Sequence, residues 1–118
     1  MKRREETLQI ALVKWFATAH PDKVMFSIPN ERKATPREGW RMKQMGLTPG
    51  VADLFLMHGN HLYHGMFIEM KSPSGMMQPT QMQFGEKAEV AGYRYEVYYN
   101  LNDAVMGITN YLSIKKPK

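Results

Sequence analysis

The chain has 118 residues, of which 43% are hydrophobic and 23% are charged, a composition typical of one folded globular domain. It contains no cysteine, which excludes disulfides, thiolate zinc sites and cysteine nucleophiles, and the cytoplasm is the predicted location. A formal net charge of +5, from 16 basic and 11 acidic residues, favours a polyanion such as nucleic acid as partner.

Helices and strands are predicted to alternate along the chain. Helices are assigned where apolar residues recur every three or four positions, and strands where short apolar runs lie between Pro, Gly or Asn residues. The predicted elements, in chain order, are a helix over 5–19, a strand over 24–28, a helix over 36–45, strands over 53–57 and 66–71, a helix over 78–91, a strand over 93–99 and a helix over 102–112. The order α-β-α-β-β-α-β-α predicts an α/β fold in which helices flank a central mixed β-sheet.

Two features argue against a membrane or secreted protein. No apolar run approaches the roughly 20 residues that a transmembrane helix needs. The charged N-terminal residues precede an apolar stretch that Gln9 and Lys14 interrupt, a pattern typical of an amphipathic helix rather than of a signal peptide.

The segment 66–71 contains the most informative residues. Alternate side chains of a strand share a face, so Glu69 and Lys71 are predicted to point one way, and Ile68 and Met70 the other. An acid and a lysine at the end of an apolar strand are costly to bury. Their presence there therefore suggests a function. Asp53 begins the preceding strand of the predicted hairpin, which places it beside Glu69.

Two neighbouring carboxylates repel each other unless a cation joins them, and Mg²⁺ prefers oxygen ligands of this kind. The backbone carbonyl of Met70, directed away from the side-chain pair, is a further candidate ligand. Lys71 is then suited to orienting a water or stabilising negative charge on a phosphate. An ordinary surface hairpin with a Glu–Lys pair is the alternative interpretation.

Three motifs resemble one known family. Gly-Val-Ala-Asp-Leu-Phe-Leu (50–56), Phe-Ile-Glu-Met-Lys-Ser-Pro-Ser-Gly (67–75) and Gln-Pro-Thr-Gln-Met-Gln-Phe (78–84) are similar to those of VRR-NUC, the virus-type replication-repair nuclease family. The resemblance extends from Glu5 and Gln9, through Ile28-Pro29-Asn30, to Ala91-Gly92-Tyr93. It implies a restriction-endonuclease-like fold with a PD-(D/E)xK site, and one domain over residues 1–118 with a core of about 5–112 and a basic tail of 113–118.

The resemblance also implies roles for individual residues. Asp53, Glu69 and Lys71 correspond to the catalytic core, Glu5 to an acidic residue of the first helix, and Gln81 to a polar residue of the third. Mg²⁺ or Mn²⁺ is the implied cofactor, bound by Asp53, Glu69 and the Met70 carbonyl, with Glu5 as an optional ligand. Ala52 stands where many relatives have the proline of the motif, a change that removes no ligand.

The residue pattern bears on the proposed functional roles of Glu5 and Gln81, and it supports the two roles to different degrees. Glu5 lies three and seven positions before Leu8 and Leu12, on the apolar stripe of the first helix, whereas Glu6 lies off that line. Either glutamate is alternatively explained by the helix dipole. Gln81 shares a helical stripe with Phe84, and a satisfied amide near a helix N-terminus is its alternative interpretation.

Basic residues around the second helix suggest a DNA-binding surface. In a nuclease they would hold phosphates without reading sequence, and a solvated helix face is the alternative. The candidate DNA-binding residues are Asn30, Arg32, Lys33, Arg37 and Arg41. The three histidines His58, His61 and His64 are assigned to a hairpin loop rather than to zinc, because Gly59-Asn60 disfavours the helix that their spacing would need.

The predicted function is structure-selective, metal-dependent cleavage of DNA, similar to a Holliday-junction resolvase. The resemblance implies a homodimer acting on branched DNA. Neither a membrane partner nor a small-molecule organic cofactor is expected. A catalytically idle nucleic-acid-binding module with the same fold is the alternative, and the complete Asp–Glu–Lys set disfavours it. The methionines are predicted to fill the core, with contact to a partner as the less favoured alternative for Met76 and Met77. The methionines concerned are Met42, Met45, Met57, Met66, Met70, Met76, Met77 and Met82.

Overall fold

The computed structural model describes residues 2–29 and 35–115 and contains four helices and four strands in those ranges. In chain order these are α1 (Lys2–Ala19), β1 (Met25–Ser27), α2 (Pro36–Gln44), β2 (Leu54–Leu56), β3 (Met66–Met70), α3 (Pro79–Val90), β4 (Arg94–Tyr98) and α4 (Leu101–Ser113). The predicted order α-β-α-β-β-α-β-α is confirmed, and the predicted ends differ from the observed ones by at most three residues. Within the described ranges no helix is long and apolar enough to cross a membrane.

Local sequence explains where the helices begin and end. The Thr35 side chain accepts a hydrogen bond from the Glu38 N–H at 3.2 Å, which caps the N-terminus of α2. Pro36 occupies the first helical position, where its missing N–H is not needed. Gly46 follows the helix with φ 107°, a left-handed conformation that glycine adopts without a Cβ clash.

The four strands form one mixed sheet in the order β1-β2-β3-β4. β1 pairs with β2 and β2 with β3 in antiparallel fashion, whereas β3 and β4 are parallel, joined by the α3 crossover. The register pairs Leu54 with Ile68, which confirms the predicted hairpin. Continued by one residue, the same register brings Asp53 opposite Glu69.

The main hydrophobic core lies between the sheet and the helices α1 and α4. Leu12 of α1 and Ile108 of α4 are fully buried there against Leu54, Ile68 and Met70 of the sheet. The even-numbered residues of β3 therefore face this core, and Glu69 between them faces the opposite side. Because the apolar side chains of β3 are buried in this core, the odd-numbered residues of β3 are the ones that face the other side of the sheet.

The opposite face of the sheet is largely aromatic, and α3 packs on it. Phe67 of β3 contacts Phe55 of β2 with ring centroids 4.8 Å apart and Phe84 of α3 at 5.1 Å. Gly85 lets α3 approach β4, because a Cβ on this residue would lie 2.8 Å from ring atoms of Tyr95. Glu69 lies on this aromatic face.

The prediction that the methionines fill the core is wrong for half of those named. Met66 and Met70 are buried in β3, as predicted. Four of those named are more than half exposed: Met45, Met57, Met76 and Met82 (82%, 56%, 77% and 51%). These four lie at a helix end, in loops or on an outward helix face, where the packed core is out of reach.

Candidate functional site

Asp53, Glu69 and Lys71 meet at one end of the β2–β3 hairpin, with little access to solvent. Their exposed fractions are 3%, 0% and 6%. Charged side chains are rarely buried to this degree unless they are paired or bind an ion. The arrangement is therefore unlike the surface Glu–Lys pair that the sequence left open as an alternative.

Backbone geometry holds Asp53 against β3. Its Oδ2 accepts a hydrogen bond of 2.9 Å from the Met70 N–H. The next N–H, of Lys71, donates in the opposite direction, to the Tyr98 carbonyl of β4 at 2.9 Å. Since the N–H and C=O of one strand residue point to the same neighbour, the Met70 carbonyl is directed towards the Asp53 side, and its role as a metal ligand stays a prediction.

Glu69 is held by two side chains through one of its oxygens. Its Oε2 accepts a hydrogen bond of 3.0 Å from Gln81 Nε2 and lies 3.8 Å from Lys71 Nζ. The other end of the Gln81 amide is fixed as well, because its Oε1 accepts a 2.8 Å hydrogen bond from the Gln78 N–H at the start of α3. The α3 N-terminus thus orients Gln81, and Gln81 orients Glu69.

The three buried ionisable groups have two negative charges against one positive charge when all are ionised. This imbalance favours a further cation beside the carboxylates. In the described part of the chain no three Asp, Glu, His or Cys side chains are grouped so as to hold a metal by themselves. Mg²⁺ binds proteins through one or two carboxylates and keeps several waters, so Asp53, Glu69 and the Met70 carbonyl fit such an ion.

Comparison with known proteins identifies the family of this fold. The model of the VRR-NUC domain matches residues 3–100. The chain belongs to the VRR-NUC domain family. A solved structure described as a VRR_NUC domain protein superimposes with a TM-score of 0.80 at 21% identity, over 96% of this chain and 91% of that one. No curated protein matches the chain.

The VRR-NUC fold of the chain brings three of the five predicted catalytic residues into direct contact: Glu69, Lys71 and Gln81. Asp53 reaches the others through the backbone of Met70. Glu5 lies nearby, at the turn that follows Lys71, since a Cβ on Gly75 would be 3.2 Å from Glu5 Oε2 and 3.3 Å from Ser72 Oγ. Its part in binding a metal stays a prediction.

The predicted DNA-binding residues fall into two groups. Arg37 and Arg41 are exposed on α2. Asn30, Arg32 and Lys33 lie outside the described residues. Contact of any of the five with DNA stays a prediction.

Sequence reasoning missed Tyr95, which lies on the same face of the sheet as Glu69. Its ring packs over Gly85, and its hydroxyl oxygen is buried without a hydrogen-bond partner among the described residues. Burial raises the pKa of Tyr95, and the negative charges of Glu69 and Asp53 raise it further. The hydroxyl therefore stays protonated beside the two carboxylates. Only the β3–β4 register, which pairs Tyr95 with Phe67, reveals this position.

We expect Glu5→Gln to reduce DNA cleavage far more than Glu6→Gln. Glu5 contacts the turn after Lys71, whereas Glu6, one residue on, points about 100° away around the helix. Both changes remove one carboxylate charge from the first turns of α1, so the helix-dipole effect is matched. Initial rates at saturating metal measure the difference, and equal losses in the two variants would contradict the assigned register.

Proposed function

We propose that this chain is a divalent-metal-dependent endonuclease that hydrolyses DNA phosphodiester bonds at the cluster of Asp53, Glu69 and Lys71. One observation supports this function above the others: two carboxylates and a lysine are buried together at one end of a hairpin, with Gln81 fixing one carboxylate oxygen. VRR-NUC nucleases generally depend on divalent metal, in agreement with this donor set. A nuclease domain also favours DNA as the substrate.

The residues have separable roles in such a reaction. Asp53, Glu69 and the Met70 carbonyl would hold the ion, which when bound supplies a water of lowered pKa and neutralises phosphate charge. Lys71 brings a positive charge to the phosphate oxygens, where negative charge grows as the bond to phosphorus forms. Gln81 keeps Glu69 in one orientation, so the site does not need to rearrange when the substrate arrives.

Plasmid cleavage tests this function directly. We expect nicking of supercoiled plasmid in the presence of Mg²⁺ or Mn²⁺, and none in EDTA. Absence of cleavage with either metal, together with retained DNA binding, would instead identify the chain as an idle nucleic-acid-binding module.

We further propose that the active form is a homodimer that cuts branched DNA, as a Holliday-junction resolvase does. Resolution of a four-way junction needs two cuts in strands related by symmetry, and a two-fold dimer places two identical sites at a fixed separation. Light scattering measures the stoichiometry, and a synthetic junction labelled on each strand reports whether the two nicks are paired. A monomer that cuts linear duplex as fast as a junction would contradict both statements.

The basic face of α2 gives a separate expectation. Exchanging Arg37 and Arg41 for Glu should weaken DNA binding without changing sequence preference, because phosphate contacts act through counterion release. The slope of log affinity against log salt should become shallower by roughly two units. The matched control reverses Lys14 and Lys87, which are exposed on α1 and α3. An equal change in that control would show a general charge effect rather than contact by α2.

A further inference from the structure

Trp40 is a large aromatic side chain that projects into solvent from a short helix. It is 64% exposed. The packed side of α2 contains Gly39, which is buried, and Met42, which is half-buried. Helical geometry at 100° per residue places Trp40 on the far side, with Arg37 about 60° and Arg41 about 100° from it in the same direction around the helix. Both arginines are exposed as well.

The composition of this α2 face, defined by Arg37, Trp40, Arg41 and Gln44, indicates what it binds. The core of a face that docks on another protein is depleted of charged side chains, arginine excepted. Here the exposed neighbours of Trp40 are two guanidinium groups and an amide, with the Lys43 ammonium on its other side. No other described aromatic ring stacks on Trp40, so its indole surface is open to a ligand.

Nucleic acid with unpaired bases matches this face in both chemistry and charge. Indole offers a flat π surface on which any base can stack, and the two arginines beside it can contact the phosphates next to that base. Bases inside a duplex are already stacked on each other, so they leave nothing for Trp40 to contact. Residues 45–52 connect α2 directly to Asp53. The α2 face is therefore only a short stretch of chain away from the cluster of Asp53, Glu69 and Lys71.

We propose that the Arg37–Trp40–Arg41 face binds a DNA strand at an unpaired base, with the base stacked on Trp40. The inference rests on the proposed function, because it assigns the preference for branched or frayed DNA to a particular residue. Arg37 and Arg41 supply affinity for any DNA, and Trp40 supplies selectivity for the unpaired position.

Tryptophan fluorescence provides a direct test, because the chain has only two tryptophans. Trp15 is half-buried and packs edge-on against Phe16, so a Trp15→Phe variant leaves Trp40 as the sole reporter. The variant is titrated in EDTA, which prevents metal-dependent cleavage, with a single-stranded oligonucleotide and with a blunt duplex of the same sequence. We expect saturable quenching by the single strand and little by the duplex.

Binding selectivity gives the second readout, measured on the otherwise wild-type chain. Trp40→Ala should lower the ratio of single-strand to duplex affinity about tenfold, and Trp40→Phe, which keeps a smaller aromatic ring, should restore part of it. Arg37→Gln should lower both affinities together and leave the ratio unchanged. Circular dichroism of each variant checks that the helix content of the chain is retained.

Three outcomes would overturn the proposal: equal quenching by duplex and single strand, an unchanged affinity ratio in Trp40→Ala, or a change of oligomeric state in that variant. The last would assign the face to a second copy of the chain. None of these measurements depends on catalysis. Selective single-strand binding without any cleavage would therefore refute the proposed nuclease function and leave this inference standing.

Discussion

Glu69→Gln and Lys71→Met should each reduce DNA cleavage by about 10²–10³-fold or more, the usual cost of removing one positioned charge from an active site. Both side chains are buried, and their substitutes have nearly the same shape. The Gln81 amide can still donate to the carbonyl oxygen of a glutamine at position 69. The loss should thus appear in the single-turnover rate, while affinity for DNA in EDTA remains close to wild type.

Metal dependence separates the two variants. Glu69→Gln removes an anionic ligand, so the concentration of Mn²⁺ at half-maximal rate should rise. Lys71→Met removes a competing positive charge and should leave this concentration unchanged or lower it. Glu96→Gln is a matched control, because Glu96 pairs with Arg94 on the opposite face of the sheet. Wild-type rates in either test variant would show that the cluster is not the active site.

The pairing of Glu69 with Lys71 could be predicted because it depends only on strand geometry. Alternation in β3 sends Ile68 and Met70 into the core, and it therefore directs Glu69 and Lys71 to the other face. The approach of Asp53 follows from the antiparallel pairing of two strands that are consecutive in the chain. The direct contact of Gln81 with Glu69 was left open by the sequence, since a helical stripe indicates a direction but not a partner.

Features that depend on the parallel β3–β4 pair were beyond prediction. The register of two strands joined by a crossover helix is set by how α3 packs, and no local pattern encodes it. Tyr95 consequently gave no signal in the sequence, although its hydroxyl lies in the field of both carboxylates. The prediction that all the methionines are buried was wrong for a related reason. An apolar residue type predicts burial only where its helix or strand turns that residue towards the core.

Gly50 introduces the motif that leads to Asp53, and its importance is also visible only in three dimensions. Its φ is 78°, and a Cβ atom there would collide with the Thr80 backbone and lie 2.7 Å from the Gln81 nitrogen. The turn before Asp53 therefore rests directly on the first turn of α3. This contact ties the segment that presents Asp53 to the helix that presents Gln81.

We expect Gly50→Ala to lower the free energy of unfolding by about 2–4 kcal/mol, through a strained left-handed conformation and a backbone collision. That is a large part of the 5–15 kcal/mol typical of a domain of this size. Gly46→Ala is the matched control: its φ is 107°, but no atom lies within 4 Å of a Cβ there. Urea unfolding of both variants measures the difference in midpoint at constant slope.

The comparison isolates the contact with α3 from the conformational cost that the two glycines share. If the contact positions Gln81, then Gly50→Ala should also slow cleavage in the fraction that remains folded, because displacing Thr80 and Gln81 moves the amide that holds Glu69. Gly46→Ala should lose stability alone, by about 1–2 kcal/mol. Equal destabilisation of the two variants, with equal residual activity, would contradict this prediction. It would mean that the turn at Gly50 shifts without displacing α3, and that α3 alone positions Gln81.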